Sequence, residues 1–354
     1  MVIGFYFPAL ALGEMTIGFE AFYALKQIYR CKLIVFGQKG MQNLLQHCSF
    51  VDLWLPTKLE AINEQQCDYL ILSNSKSWFI NFAKQTNVKY IICASKIPSL
   101  FSLRCKTVPI YFCKKYRNLN EREILLSYVR RIDSKTYDSQ IDTLDFNNAK
   151  IASANTHRQF VISQMQPKIK TFMEKMGEGS NGHVYFILIN PFNRACPYSL
   201  QLNSWLTLAK KISEATSPLI PIIATYPQVH NEFMSSVRES QIDISNIIIF
   251  ENNDDLLNLV SLISQVSLVI SPSTGVIHVA CNQRIPTIAV YPEYDTRRWA
   301  THNKRYVFLE TPLSLISAQQ EHQAIEQIVA TLEEMLKTNE IKPLNLKGYV
   351  NNCD

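Results

Sequence analysis

The stretch Val269-Ile-Ser-Pro-Ser-Thr-Gly-Val-Ile-His-Val-Ala-Cys-Asn-Gln-Arg-Ile-Pro-Thr-Ile-Ala-Val-Tyr-Pro292 decides how the chain folds. Its apolar opening reads as a buried strand that runs into Ser273-Thr274-Gly275. A short helix follows, and a second strand begins near Pro286. A strand that ends on small polar residues and turns into a helix leaves free backbone N–H groups at the helix start. Together with the positive end of the helix dipole, these favour an anion. Gly275 lets a ligand approach the backbone closely. Thr274 can cap the helix or bond a phosphate, and His278 lies one turn further on the same face. From the residues alone, a plain N-cap followed by a core helix with a satisfied histidine fits equally well.

Outward from this unit, the same rhythm recurs. Val184–Asn190, Leu219–Thr225, Ile247–Phe250, Leu268–Ser271 and Thr287–Tyr291 read as strands. Helical spacing predicts helices over 200–214, 228–240 and 254–264, and a final helix over 320–337 with Ile325, Ile328, Leu332 and Met335 on one face. The front half repeats the pattern. Strands are predicted at Val2–Phe7, Lys32–Phe36, Val51–Leu55, Tyr69–Ser73 and Val88–Cys93, with helices over 14–30 and 76–85. Residues 98–131 are less regular and end in a helix over 121–131. Continuous apolar runs mark strands buried on both faces, hence parallel sheets covered by helices. Gly177-Glu-Gly-Ser-Asn-Gly182 holds three of the ten glycines and reads as the linker. The expected domains are therefore 1–176 and 183–354, with the 320–337 helix packing back toward the first. Two such βα domains leave a cleft, and ligands of these sheets bind beyond the carboxyl ends of the strands.

Composition narrows the classes. The chain has 354 residues, 47% of them hydrophobic and 18% charged, enough for two cores and too apolar for long disorder. No run approaches the ~18–20 apolar residues of a membrane span. Met1–Leu12 lacks a basic leader and soon meets Glu14, so it reads as strand and helix and not as a signal peptide. The nine cysteines are scattered without a Cys-x-x-Cys, which reads as reduced core thiols and a cytoplasmic protein. No metal site is expected. A net charge of +5 is too small to imply nucleic acid, and it suits an acidic substrate or an anionic membrane face as well as mere solubility.

The 269–292 stretch resembles the C-terminal signature of glycosyltransferase family 9, the heptosyltransferases. That signature has Asp-Thr-Gly or Asp-Ser-Gly, two residues, His, a small-residue helix, then Pro-Thr and an apolar strand. Thr274, Gly275, His278, Ala280, Pro286 and Thr287 match it, while Ser273 stands where the family has Asp. The front of the chain is similar too: an apolar strand, a loop, then Glu14 where the family carries its Asp, and a helix leading to Arg30. A looser likeness covers Asn190, Pro191 and Arg194, and another covers the loop Tyr294–His302.

The resemblance implies an α/β GT-B fold, two Rossmann-like domains facing across a cleft. The first would bind acceptor and the second a nucleotide-sugar. It implies Glu14 as the catalytic base, and Ser273, Thr274, Gly275, His278 and Arg194 around the donor diphosphate. A carboxylate in a cleft can take the acceptor hydroxyl's proton as it attacks. Glu14 as a helix-start acid on the dipole is the alternative reading. Glu251 ends a strand and is placed near the nucleoside. Arg104, Lys114, Lys115, Arg117 and Arg298 are the candidates for the acceptor's phosphates, or else a solvated basic face. The implied reaction is an inverting transfer without metal or cofactor, from ADP-heptose to a lipid A–core acceptor, with room for peripheral contact at the inner membrane. A nucleotide-sugar epimerase and an inactive nucleotide-sugar-binding protein stay open beside it.

Overall fold

The computed structural model describes residues 1–74, 76–176, 183–192, 196–215, 218–299 and 304–346. The chain divides into two compact units, Met1–Ala152 with Arg297–Thr301, and Ser153–Thr296 with His302–Asp354.

The first unit holds strands β1 (Val2–Phe7), β2 (Lys32–Gly37), β3 (Leu53–Leu55), β4 (Tyr69–Leu72), β5 (Tyr90–Ala94) and β6 (Cys105–Val108). They pair in the order β3-β2-β1-β4-β5-β6, every pair parallel. Alternate side chains serve the two faces. Tyr6, Ile34, Phe36, Leu70 and Ile91 enter a core with Phe79 and Ile80 of the helix Ser77–Gln85. On the other face Phe5 meets Phe22 of the helix Leu12–Tyr29 edge to face, centroids 5.0 Å apart. Gly18 lets that helix sit close on the end of β1: a Cβ there would lie 2.8 Å from the Phe7 ring. This close seat fixes the helix start just beyond the carboxyl end of β1.

The second unit repeats the plan with β7 (His183–Ile189), β8 (Leu219–Thr225), β9 (Ile248–Glu251), β10 (Leu268–Pro272), β11 (Thr287–Tyr291) and β12 (Lys304–Phe308). The order is β12-β11-β10-β7-β8-β9, again parallel, and the short β13 (Leu344–Asn345) adds antiparallel to the start of β7. Counted from each unit's first strand, both sheets run 3-2-1-4-5-6, the doubly wound order with its switch point between strands 1 and 4. Cys105–Val108, inside the run that reads as less regular, and Lys304–Phe308, for which no strand is predicted, are the sixth strand of each sheet.

One expectation about organisation changes. The helix Asn155–Met176 packs on β9 and on the helix Leu256–Ile263 of the second unit, with Phe160 edge-on to Phe250 at 6.0 Å. Contacts therefore divide the chain at 152/153. The glycine-rich run 177–182, read as the linker, lies outside the described residues. The final helix, Ala318–Lys337, puts Ile325, Ile328, Leu332 and Met335 into the second unit's own core beside Trp205 and Leu208. Its apolar face is used there.

Candidate functional site

At the switch point of the second sheet, β7 and β10 diverge and their carboxyl ends carry Asn190 and Ser273-Thr274. The Asn190 backbone N–H donates to the Ile270 carbonyl at 2.9 Å, which extends the pairing by one residue. Its buried side-chain amide then donates to Ser271 Oγ (3.0 Å), Thr274 Oγ1 (3.2 Å) and the Phe192 carbonyl (3.2 Å). Ser271 Oγ and Thr274 Oγ1 are themselves 3.0 Å apart. This network decides what Thr274 does. It occupies the N-cap of the helix Gly275–Asn282 with extended backbone, yet its hydroxyl makes no capping bond. The first amides of that helix are thus left without a side-chain cap, and a bound anion is the natural partner for such groups. Of the two roles the sequence left to Thr274, capping is not the one adopted.

Behind this loop lies a layer of titratable groups. Burial raises the Tyr291 phenol above its ordinary range, with Ser273 acting in the opposite direction. Lys304 Nζ lies 3.4 Å from Tyr291 Oη and 5.1 Å from the ring centroid. Burial pushes Lys304 down to about 8, with Cys281 acting in the opposite direction. His278 is only 6% exposed. Burial first, and the Lys304 charge second, hold its imidazole well below the usual value. It is neutral at pH 7, so its expected place beside the diphosphate brings no positive charge. Tyr291 and Lys304 were not singled out from the sequence. Lys304 opens a strand that the sequence did not reveal, and Tyr291 looked like one more apolar-run residue.

The Lys304 shift carries a stability test. The unfolded lysine keeps its proton to about 10.4 and the folded one only to about 8. Between those values the unfolded state binds more protons, so stability rises with pH across that window. Lys304→Met is expected to raise the melting temperature at pH 7 by about 5 °C and to lose most of that advantage near pH 10. Differential scanning fluorimetry at both pH values checks it. A constant gap between the two proteins would remove the buried charge as the cause.

At the far end of the same carboxyl edge, Glu251 closes β9. Its backbone is clamped by Gln164, which accepts from its N–H (3.0 Å) and donates to its carbonyl (2.8 Å). Its exposed carboxylate stands 3.7 Å from His230 Nε2, and His230 Nδ1 is 2.9 Å from Thr225 Oγ1. Three strand spacings separate β9 from β10, roughly 14 Å. An extended ligand, not a lone phosphate, would bridge the two points. Arg194 lies outside the described residues.

In the first unit, Glu14 sits in the first turn of the Leu12–Tyr29 helix, beyond the carboxyl end of β1. It is half-buried, and no hydrogen bond or ion pair among the described residues holds it. Glu20, two turns on, is the opposite case: it is buried and paired with Arg122. The helix therefore carries one acid spent on structure and one left unspent at the strand ends.

The basic candidates divide the same way. Arg104 donates to the carbonyls of Val88 (3.1 Å), Lys84 (3.3 Å) and Thr86 (2.8 Å). Its guanidinium satisfies the end of the helix Ser77–Gln85 and is not free for an acceptor, which corrects that assignment. Arg298 pairs with Glu121 at 2.6 Å and lies 4.7 Å over the Trp299 ring. Lys114 and Lys115 are exposed, while Arg117 Nε donates to the Tyr111 carbonyl at 3.3 Å.

The model of glycosyltransferase family 9 (heptosyltransferase) matches residues 253–329, the span that holds β10, the Gly275 helix, β11 and β12. Comparison by sequence with curated proteins finds no match. Among solved structures, the glycosyl transferase family 9 protein from Veillonella parvula DSM 2008 aligns at 12% identity with a TM-score of 0.67, covering 93% of this chain and 98% of that one. E. coli ADP-heptose lps heptosyltransferase II aligns at 14% identity and TM-score 0.61, over 94% of this chain and 100% of its own. E. coli heptosyltransferase WaaC, solved with ADP, aligns at 12% and 0.62, over 93% and 98%. At these identities the structural likeness speaks for the fold, two Rossmann-like units of GT-B type. The signature matched over residues 253–329 and that architecture make this chain similar to glycosyltransferase family 9, the heptosyltransferase family.

Proposed function

We propose that the chain transfers heptose from ADP-heptose to a hydroxyl of a lipid A–core acceptor in a single inverting displacement. The observation that carries the reading is the uncapped start of the Gly275 helix, whose N-cap hydroxyl is drawn away by Asn190 and Ser271. Fixed amides aimed at a leaving diphosphate stabilise charge that grows in the transition state. Two E. coli WaaC structures, one with ADP and one with ADP-2-deoxy-2-fluoro heptose, support the choice of donor.

In the reaction, the acceptor oxygen forms a bond to the anomeric carbon as the bond from that carbon to the β-phosphate oxygen breaks. The electron pair leaves on the diphosphate and the hydroxyl proton passes to Glu14. Thr274, Gly275 and Ser273 receive the diphosphate, Arg194 supplies its cation, and neutral His278 serves as a hydrogen-bonding group. Glu251 lies toward the nucleoside. Lys114, Lys115 and Arg117 meet the acceptor, whose glycolipid nature places the work at the cytoplasmic face of the inner membrane. The first unit, with the helix 155–176 beyond its contact boundary, is the acceptor side and the second the donor side.

The test is a product analysis with ADP-heptose and a truncated lipid A–core acceptor, by mass spectrometry and ADP release. ADP release that depends on acceptor, with one heptose added, is the expected result. Conversion of the donor alone would indicate an epimerase, and nucleotide binding without product a binding protein. Either outcome would end the transferase reading.

A further inference from the structure

From Tyr69 to Asn120 the sequence holds nine Lys or Arg and not one Asp or Glu. That exceeds the net +5 of the whole chain, so the remainder is net negative. The same segment carries a concentration of exposed apolar side chains. Of the twelve large exposed hydrophobics among the described residues, six fall within sixteen positions: Ile97, Leu100, Phe101, Leu103, Tyr111 and Phe112. Phe101 is 79% exposed, Phe112 71%, and Leu103 fully so. Single exposed apolar residues are ordinary, but a contiguous cluster is not.

The cluster forms one surface. The short helix Ile97–Leu100 and the turn after it carry the chain from β5 to β6, the edge strand of the first sheet. Tyr111 and Phe112 follow directly on β6. The Ser95 N–H donates to the Val108 carbonyl at 2.8 Å. Lys96 Nζ lies 4.9 Å over the Tyr111 ring, and Lys84 Nζ donates to the Pro98 carbonyl at 3.3 Å. Arg117 Nε holds the Tyr111 carbonyl. The lysines thus ring the apolar tips at their base, with Lys114 and Lys115 exposed beside them.

We propose that this face, residues 96–103 with 111–117, rests on an anionic lipid bilayer. The tips of Leu100, Phe101, Leu103 and Phe112 enter the acyl boundary, and Lys96, Lys114, Lys115 and Arg117 meet the headgroups. Aromatic and leucine tips with a lysine rim and no acid suit an interface between hydrocarbon and negative charge. The charge argues for a lipid surface over a protein groove, because a run of fifty-two residues without a carboxylate leaves nothing to pair with a partner's cations. Among the described residues no helix is long and apolar enough to cross a membrane, so the contact is peripheral. The proposal deepens the membrane placement given under the proposed function and takes only its purpose from it.

The experiment needs neither donor nor acceptor, so its failure and that of the transfer assay are separate events. The full chain is sedimented with phosphatidylcholine vesicles, with and without phosphatidylglycerol, over a range of salt. Binding is expected only with phosphatidylglycerol and is expected to weaken as salt rises. The double variant Phe101→Ser/Leu103→Ser should lower partitioning about tenfold at an unchanged melting temperature, since both side chains are exposed. Lys114→Glu/Lys115→Glu should abolish the salt-sensitive part. Leu315→Ser, an exposed position of the second unit, should bind like the parent. Failure to bind phosphatidylglycerol vesicles would overturn the proposal. So would unchanged binding by the Phe101/Leu103 variant, or an equal loss in Leu315→Ser.

Discussion

Glu14→Gln should lower kcat about a thousandfold while leaving donor affinity within a factor of two or so. Glutamine keeps the shape and the hydrogen-bonding reach of glutamate but cannot accept a proton. Among the described residues Glu14 has no ion pair or hydrogen bond to lose, so the substitution should not disturb the fold. Glu20→Gln provides the contrast within one helix. It breaks the buried pair with Arg122 and should lower the melting temperature by several degrees with kcat little changed. Glu14→Asp introduces the residue type that the resembled family carries there, and should retain activity within about tenfold, since the carboxylate survives and only its reach shortens. Single-turnover measurements with saturating donor separate these cases. If Glu14→Gln turned over within tenfold of the parent, the proton would have to leave by another route, and Glu14 would be reduced to a first-turn acid on the helix dipole.

How much of this could be read from the sequence depends on where each residue's partners lie. The inner strands β1, β2, β4, β7, β8, β10 and β11 are apolar on both faces, and so stand out as continuous runs. The edge strands β6 and β12 escaped detection for a physical reason. Each pairs on one side only, as do β3 and β9, which the sequence disclosed, so edge position alone is not the cause. Lys106, Lys304 and Arg305 interrupt their apolar pattern, as charges on edges do to discourage further pairing. The boundary near 177–182 was inferred from glycine content, which marks where a chain bends but not on which sheet the preceding helix will pack. Val161, Met165 and Ile169 bury against the second unit, and nothing in their own spacing names that partner.

The site divides along the same line. The Ser273-Thr274-Gly275 helix start is local, so the free amides that open it could be expected from the sequence. The direction of the Thr274 hydroxyl could not, because Asn190 lies 84 positions away. Arg104 looked like any other member of a basic segment. Only the fold brings the carbonyls of Lys84, Thr86 and Val88 around its guanidinium. Residue type and spacing disclosed which groups could act on a ligand. Tertiary partners then decided which of them remain free to do so.

The Thr274 position also allows a prediction in which stability and binding move in opposite directions. Thr274→Asp places a carboxylate at the N-cap of the Gly275–Asn282 helix, where the present hydroxyl makes no capping bond. Aspartate is among the best N-caps and its charge suits the dipole, so the free protein should gain about 1 kcal/mol. Asn190 Nδ2 and Ser271 Oγ, now 3.2 Å and 3.0 Å from the threonine hydroxyl, can still donate to the new carboxylate, so the loop need not rearrange. The same carboxylate then fills the place of the diphosphate and repels it. ADP affinity should fall about a hundredfold, a loss of about 2.7 kcal/mol that the gain in folding does not offset. Thermal shift should therefore show a higher melting temperature without ligand and a much smaller rise on adding ADP. Calorimetry should show the hundredfold loss directly. A protein that was stabilised yet bound ADP as tightly as the parent would mean that the nucleotide's phosphates sit elsewhere on the carboxyl edge of the second sheet. A protein that lost stability would mean that the Asn190–Ser271–Thr274 contacts, and not the missing cap, hold that helix in place.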